Sequence, residues 1–450
     1  MLKYARFPVG HPEIILDNFK PLDQYFGLVK CKILPPDNLH IPVLPQKYSS
    51  KKLVFSLCRS CGETSQQTSC HHTPDERALV GSWCTPEVME AIRQGYQLLE
   101  TYEIWHFKES SQYNATTREH GLFSEYVDIF FKLKLQYSGW PPDCVSDASK
   151  DAFIAKILHT EGLKLKKSEI KKNPGLHTLA KLLLNSFWGK FGQRSNMSKK
   201  KVVSSRAEML KLLCDPSIEV DSMLELDDVE GSLLISYKNS DDFVEGGSAT
   251  NVVIAAFVTT WARLKLFGLI SKLGTQVLYF DTDSCIYLVR DNGTDYEPPR
   301  GEALGDLKSE LSPGNYITAF CSSGPKSYSY ILKNPEGNYK SKVVLKGISL
   351  NYGNSEVARY DTILAKIEKF VASGDNSPTV FYKTENFFHR SSNFQIFMTN
   401  LTKNFRCTYD KRLICNSFNT VPFGFRPLKR KIADFNEKTL PLKKRRLYLN

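Results

Sequence analysis

Residues 278–287 read Leu-Tyr-Phe-Asp-Thr-Asp-Ser-Cys-Ile-Tyr, and the meaning given to Asp281 and Asp283 decides how the rest of the chain is understood. The two acids stand two residues apart at a turn. Val277, Leu278, Tyr279 and Phe280 precede it and Ile286, Tyr287, Leu288 and Val289 follow it, and these apolar, aromatic or β-branched runs predict a β-hairpin. A hairpin would present both carboxylates at one rim of a sheet. Carboxylates that close repel unless a divalent cation neutralises them, and hard oxygen donors suit Mg2+, whose other ligands are waters and substrate phosphates. That arrangement serves two-metal phosphoryl transfer. Asp and Ser are also favoured turn residues, so the same letters can make an ordinary polar turn.

A chain of 450 residues can bury several cores, and roughly two to four subdomains are expected. The net charge of +12 favours a polyanionic partner without naming it. Its placement is uneven. Residues 164–201 hold eleven Lys and Arg against Glu169, whereas residues 214–245 hold ten acids against Lys238. The basic stretch is the candidate face for that polyanion. Residues 1–19 carry Pro8, Pro12 and scattered charges in place of an apolar core, so no secretory signal is read and an intracellular protein is expected. The most apolar run, residues 252–262, is followed at once by Arg263 and Lys265; it reads as a buried helix, and no membrane partner is expected. Eleven cysteines, an odd number, argue against a disulfide framework and leave metal binding as their use.

Residues 52–84 form a cysteine-rich insertion. Cys58-x2-Cys61, followed nine residues later by Cys70, His71 and His72, has the spacing of a four-ligand zinc site. The preferred ligands are Cys58, Cys61, Cys70 and His72, with His71 the alternate. Four protein ligands leave no open position, so such a zinc would be structural. A polar loop with unliganded cysteines is the alternative reading.

Elsewhere the patterns are coarser. Residues 25–34 read as a strand continuing, hairpin-like, into residues 41–44; residues 85–96 as a helix; residues 99–107 as a strand; residues 122–137 and 147–172 as helices; residues 251–273 as the helix entering the aspartate hairpin. Lys346 and Gly347 are expected on a later strand, and residues 356–402 to be mostly helical. In residues 176–192, Lys181, Asn185 and Trp188 share one helical face while Leu179, Leu182, Leu183 and Phe187 can pack on the other. That first face can meet a nucleotide, with a point charge for the triphosphate, an amide for sugar or base edges and a ring for stacking. An amphipathic core helix would show the same spacing.

Tyr279-x-Asp281-Thr282-Asp283-Ser284 resembles the motif C hairpin of family B DNA polymerases, and Lys181-x3-Asn185-Ser186-Phe187-Trp188-Gly189 resembles motif B of the same family, in the required order. Lys326-Ser327-Tyr328 is similar to the K-x-Y motif with which that family holds the primer end. Together with the cysteine-rich and acidic insertions, these motifs resemble protein-primed family B polymerases of Polinton-type transposons and related viruses. The resemblance implies an α+β right-hand fold: an antiparallel palm sheet, helical fingers and a thumb, here lacking the exonuclease domain and part of the palm. It implies Asp283 as metal-bridging ligand with Asp281 its companion, both on Mg2+ and both catalytic; Lys181, Asn185, Trp188 and Tyr279 as nucleotide-binding; and Lys326, Tyr328, Gly189 and Lys190 as primer- or DNA-binding. The implied partners are template and primer DNA, deoxynucleoside triphosphates and a terminal priming protein.

The expected division is partial palm over residues 1–50, the zinc-like insertion over 51–121, fingers over 122–195, an acidic insertion over 196–250, palm over 251–350, a thumb-like region over 351–425 and a basic tail over 426–450. In the tail, Lys429-Arg430-Lys431 and Lys443-Lys444-Arg445-Arg446 resemble a bipartite nuclear import signal, although basic runs also bind phosphate backbones. One departure from the family is plain. Its motif A, an Asp followed by Ser-Leu-Tyr-Pro, occurs nowhere in the sequence. A chain truncated before motif A, inactive in this form or retained as a nucleic-acid-binding remnant, is therefore expected.

Overall fold

The structure is a computed structural model, and it describes residues 1–142, 144–225, 233–244, 250–290, 293–301, 303–348, 350, 352–377, 379–390, 395–415, 419–427 and 445–449. They divide into one unit of Met1–Trp188, Val252–Val344 and Thr408–Asn450, and a second of Gly189–Asn251 and Leu345–Cys407.

In the first unit, β1 (Glu13–Ile15), β2 (Gly27–Leu34), β3 (Leu79–Cys84) and β4 (Gln97–His106) form an antiparallel sheet in the order β1-β4-β2-β3. Alternation in β2 turns Val29, Cys31 and Ile33 into a core shared with Leu79, Trp83 and Ile104. The sheet thus runs across the boundary expected at residue 50. Helix α1 (Thr85–Arg93), with proline in its first turn, adds Val88 and Ala91 to that core. The continuation expected over residues 41–44 is not a strand. Pro42 and Pro45 lack ladder donors, and Val43 and Leu44 are buried as coil.

Helices α2 (Ser124–Ser138), α3 (Asp147–Glu161) and α4 (Pro174–Ser186) build a second core from Phe131, Ile157 and Leu184. Helix α3 stops short of the expected residue 172 because Gly162, at φ 75°, takes the left-handed cap conformation. Helix α5 (Val252–Leu273) is long and apolar enough to cross a bilayer, but it packs against α1, β3 and the strand Phe7–Val9. There Arg263 grips the buried Glu87 with Nε at 2.6 Å and Nη2 at 3.0 Å, and Thr260 adds a hydroxyl at 3.2 Å. This charge-assisted pair, buried on its Glu87 side and partly exposed at Arg263, ties α5 to α1.

Six strands follow in the same unit: β5 (Val277–Asp281), β6 (Ser284–Arg290), β7 (Tyr316–Gly324), β8 (Ser327–Lys333), β9 (Tyr339–Val344) and β10 (Arg445–Leu449), in the order β5-β6-β10-β7-β8-β9. The ladders are antiparallel. Strand β6 has no solvent face. Ile286 and Leu288 meet Ile317 and Tyr330 on one side, and Cys285, Tyr287 and Val289 meet Ile270 and Leu273 of α5 on the other. Arg445 and Arg446 pair along β10 with Arg290 and Val289 of β6; the rest of the import-signal reading, residues 429–431 and 443–444, lies outside the described residues.

The second unit contains a three-stranded antiparallel sheet of Lys199–Val203, Ile218–Glu225 and Leu233–Asn239, with Ile235 fully buried. It also contains the helices Tyr352–Val357 and Tyr360–Ser373 and the hairpin Thr379–Arg390 with Ile396–Phe405. The helical expectation for residues 356–402 fails beyond Ser373. Gly374 ends the helix at φ 69°, and the segments after it are rich in Thr, Val, Ile and Phe, which favour strands. Strand β9 ends at Val344, so Lys346 and Gly347 fall in a turn, with Gly347 at φ 73°.

One buried charge cluster ties the N-terminus into the first unit. Lys3, with no exposed side chain, lies 2.6 Å from Asp128 of α2 and donates to the backbone carbonyl of Glu161 at 2.8 Å. Tyr4 donates to the Glu161 carboxylate, which also accepts from Leu304 N–H at 2.7 Å. Lys3→Ala leaves two acids without their cation and is expected to lower stability by about 3–5 kcal/mol. Urea unfolding measures it, and a loss under about 1 kcal/mol would show that the acids do not depend on Lys3.

Candidate active site and metal centre

The aspartate turn is tight. Asp281 and Ser284 are the last paired residues of β5 and β6, leaving Thr282 and Asp283 as the loop. Asp283 N–H reaches back to the Asp281 carbonyl at 2.6 Å, and Thr282 sits at φ 55°, a γ-turn geometry that is unfavourable for a β-branched residue. Two hydroxyls brace it, Thr282 Oγ1 on Asp281 Oδ1 at 3.0 Å and Ser284 Oγ on the Asp281 carbonyl at 3.2 Å. Strain of this kind persists where surrounding structure imposes it. Asp283 is exposed and Asp281 half-buried.

A second turn, between β7 and β8, meets the first. Lys326, at φ 59°, donates its backbone N–H to the Tyr279 hydroxyl at 2.8 Å and brings its ammonium to 3.3 Å from Asp281. The Tyr279 and Tyr328 rings are 5.0 Å apart, and Tyr328 lies parallel to Tyr330 at 6.3 Å. Burial, with Tyr330 and Tyr279 nearby, pushes the Tyr328 phenol up to about 12; burial also raises that of Tyr279. Both hydroxyls therefore stay protonated at neutral pH. Asp281, Tyr279, Lys326 and Tyr328, from two hairpins forty-odd residues apart in sequence, share one neighbourhood.

The residues of α4 are placed differently. This helix packs on α2 through Ala180, Leu184 and the following Phe187, whose ring stacks on Tyr126 at 4.0 Å. Lys181 and Asn185 are exposed and Trp188 is half-buried. Leu179 and Leu182, expected to pack inward, are 50% and 59% exposed. The inward face is centred on Ala180, because Leu184 one turn later and Phe187 two turns later meet α2. Gly189 and Lys190, both exposed, belong to the second unit, where Lys190 bonds Gln193 at 2.6 Å. Part of the expected basic face is neutralised at home. Lys166 pairs with Glu169, Lys167 with Asp147 and Asp151, and Lys201 with Glu208, whereas Lys164, Lys171, Lys172 and Lys181 are exposed.

The cysteine-rich insertion closes on itself. A six-residue helix, Arg59–Thr64, starts at Cys58, and Cys58, Cys61, Cys70 and His72 place their donor atoms within 4.8 Å of one another. His72 Nδ1 lies 3.4, 3.3 and 3.6 Å from the sulfurs of Cys58, Cys61 and Cys70. A tetrahedral zinc with bonds of about 2.3 Å to sulfur and 2.0 Å to nitrogen has an S···N edge of about 3.5 Å. The donor set and its spacing therefore fit that ion. The three cysteines are buried and His71 points outward, exposed. Burial raises the Cys58 and Cys61 thiols; it opposes ionisation of Cys70 too, but hydrogen bonds from His72 and the neighbouring thiols outweigh it and bring Cys70 down to about 7. The sequence spacing of Cys58, Cys61, Cys70 and His72 announced this centre. The Tyr279–Lys326 bond had no sequence signal.

Tyr279→Phe keeps the ring and deletes the acceptor of Lys326 N–H. The expected outcome is a loss of about 1 kcal/mol and faster amide exchange at Lys326, read by hydrogen-exchange mass spectrometry. Unchanged exchange there would show that the two turns do not lean on each other.

A curated probable DNA polymerase of Neurospora intermedia is 22% identical over 359 residues, 77% of this chain and 29% of that protein, so the chain spans about three-tenths of the relative's length. Among solved structures, the chain is similar to Phi29 DNA polymerase complexed with primer-template DNA (post-translocation binary complex), at 14% identity and a TM-score of 0.47, covering 90% of this chain and 55% of that one. The family described as DNA polymerase type B, organellar and viral, matches residues 1–158. That match covers about a third of the chain.

Proposed function

We propose that the chain carries the polymerising part of a DNA-directed DNA polymerase of right-hand architecture, with protein-primed replication of a mobile element or virus as its biological setting. The observation that carries this reading is the meeting of the Asp281–Asp283 turn with the Lys326 turn, 3.3 Å from carboxylate to ammonium. A polymerase needs acids for metal and a cation for the primer backbone at one place, and an ordinary polar turn has no reason to collect both.

In the reaction, the primer 3′ hydroxyl attacks the α-phosphorus of a deoxynucleoside triphosphate, a new P–O bond forms and the bond to pyrophosphate breaks. Asp283 and Asp281 offer only oxygen donors, one carboxylate exposed and one half-buried, a set suited to a hard divalent cation. Mg2+ there would lower the charge barrier between the attacking oxygen and the phosphate. The chain's own residues supply position. Lys326 and Tyr328 hold the primer end; Lys181 faces solvent with its charge free for a triphosphate; Asn185, Trp188 and Tyr279 contribute an amide and rings for the nucleotide; and the roles of Gly189 and Lys190 on DNA rest on the sequence resemblance. At Cys58, Cys61, Cys70 and His72 we assign structural Zn2+, a closed four-ligand site with no position for substrate.

A second reading, nucleic-acid binding without incorporation, is favoured by the exposed lysines 164, 171, 172 and 181. Primer extension separates the two. Asp283→Ala is expected to lower incorporation at least about a thousandfold, or about 4 kcal/mol, while DNA binding stays and weakens steeply with salt. Extension that survives Asp283→Ala ends the polymerase reading, and wild-type protein that binds DNA but never extends it supports the second. Elemental analysis is expected to find about one zinc per chain, lost in Cys58→Ser; zinc content unchanged in that variant would remove the metal assignment.

A further inference from the structure

The Cys-His knuckle is not an isolated ornament of the insertion. A strap from the C-terminal part of the first unit, residues 408–415 and 419–426, is fastened to it. Arg426 donates from Nε to the Cys70 carbonyl at 3.0 Å and from Nη2 to the His72 carbonyl, so one guanidinium holds the backbone of two ligand residues. Leu57 N–H bonds the Phe423 carbonyl at 2.8 Å, and the fully buried Phe423 packs among Cys58, Cys61 and Cys70. At Gly424, φ 85°, a side chain would collide with Cβ of Cys58, so the strap lies against the first ligand backbone to side chain. Gln67, in the loop between the two half-sites, exchanges hydrogen bonds with Arg412 and Ile414.

The other end of the strap reaches the hairpin that carries Lys326. Thr408 N–H donates to the Ser323 carbonyl at 2.7 Å, and the Tyr409 hydroxyl donates to that of Ser322. At Gly324, φ 135°, a Cβ would strike the Thr408 carbonyl. These contacts fall on the last residues of β7, two to four positions before Lys326. Between the ends, Arg412 is held by the carbonyls of His40 and Thr420, at 3.2 and 3.1 Å, and Asp410 pairs with Lys52. Burial lowers the Arg412 guanidinium to about 10, which leaves it charged.

We propose that the metal at Cys58, Cys61, Cys70 and His72 is the anchor of this strap, and that through it the ion holds the Lys326 turn beside Asp281. The proposal rests on the zinc assignment above. Without an ion, the four donor side chains keep only weak thiol and imidazole contacts with one another, and the half-sites are joined by peripheral bonds such as Ser60 Oγ to the Glu76 carbonyl at 3.1 Å; the carbonyls that Arg426 grips and the surface on which Phe423 rests then lose their fixed positions. The strap then loses its attachment at the knuckle end, and the loosened strap no longer fixes the backbone bond from Thr408 to the β7–β8 hairpin. The ion thereby acts on the primer-holding turn from the far end of the strap, with no contact to the reaction itself.

The test is hydrogen exchange on the full chain, zinc-loaded and zinc-stripped by a chelator, with zinc content measured on each sample. Stripping is expected to speed exchange at least about tenfold in residues 408–415, 419–427 and 322–328 while residues 29–33 of β2 stay protected. Arg426→Ala keeps all four ligands, so it is expected to retain about one zinc per chain and to loosen the same peptides with the metal in place. Strap exchange within about twofold of the loaded protein after stripping overturns the proposal, as does a strap that loosens while 322–328 does not change. If stripping unfolds the whole chain, Arg426→Ala decides by the same two peptides. A chain that never holds zinc overturns the underlying assignment, and the metal analysis tells that failure from the others.

Discussion

Because β6 is covered on both faces, it has almost no freedom to move. Tyr287 is fully buried against Ile270 and Leu273 of α5, while Ile286 and Leu288 are locked against Ile317 and Tyr330 on the opposite side. A one-residue slip would exchange a tyrosine for an isoleucine on each face and leave a void on one and an overlap on the other. The turn that precedes β6 inherits that rigidity. Thr282 can be held at φ 55° only because the strand after it is fixed and its ladder to β5 closes at Asp281 and Ser284.

Electrostatics then decide what the rigid turn can do. A single exposed ion pair contributes little to stability, on the order of 1 kcal/mol or less, and Lys326 is largely exposed. Its place beside Asp281 is supported by backbone bonds and packing, among them the Tyr279 hydroxyl holding Lys326 N–H and the tyrosine cluster beneath both turns. The cation is thus delivered by packing and backbone hydrogen bonding, leaving its charge available to a ligand. The pairs built on a buried partner have the opposite character. Glu87 with Arg263, and Lys3 with Asp128 and Glu161, each have at least one fully buried member and serve to fix α5 and the N-terminus.

Several features were legible from residue order because they are local. The hairpin at Asp281 and Asp283, the strand through Cys31, the proline-started helix at Thr85 and the long helix before the hairpin all follow from periodicity and turn chemistry within a dozen or so residues. The same local rules failed where a single residue overrode them. Gly162 and Gly374 ended helices early, and Pro42 with Pro45 turned an expected strand into buried coil. Helix α4 was recognised as amphipathic but rotated wrongly, since Leu179 and Leu182 are as apolar as Leu183 and Leu184 and only the position of α2 chooses between them.

The sequence by itself determined the residue types at the site, two acids in a turn, a lysine and tyrosine in another, and three cysteines with a histidine at metal-binding spacing, because these are read from neighbours in the chain. Tertiary structure decided which of them meet. It inserted β10 between the two hairpins, brought Lys326 to Asp281, chose His72 over His71, and laid a C-terminal strap across an N-terminal knuckle. Such pairings are set by burial and by backbone hydrogen bonds between segments tens to hundreds of residues apart, whose free energy appears only when the chain has closed those loops.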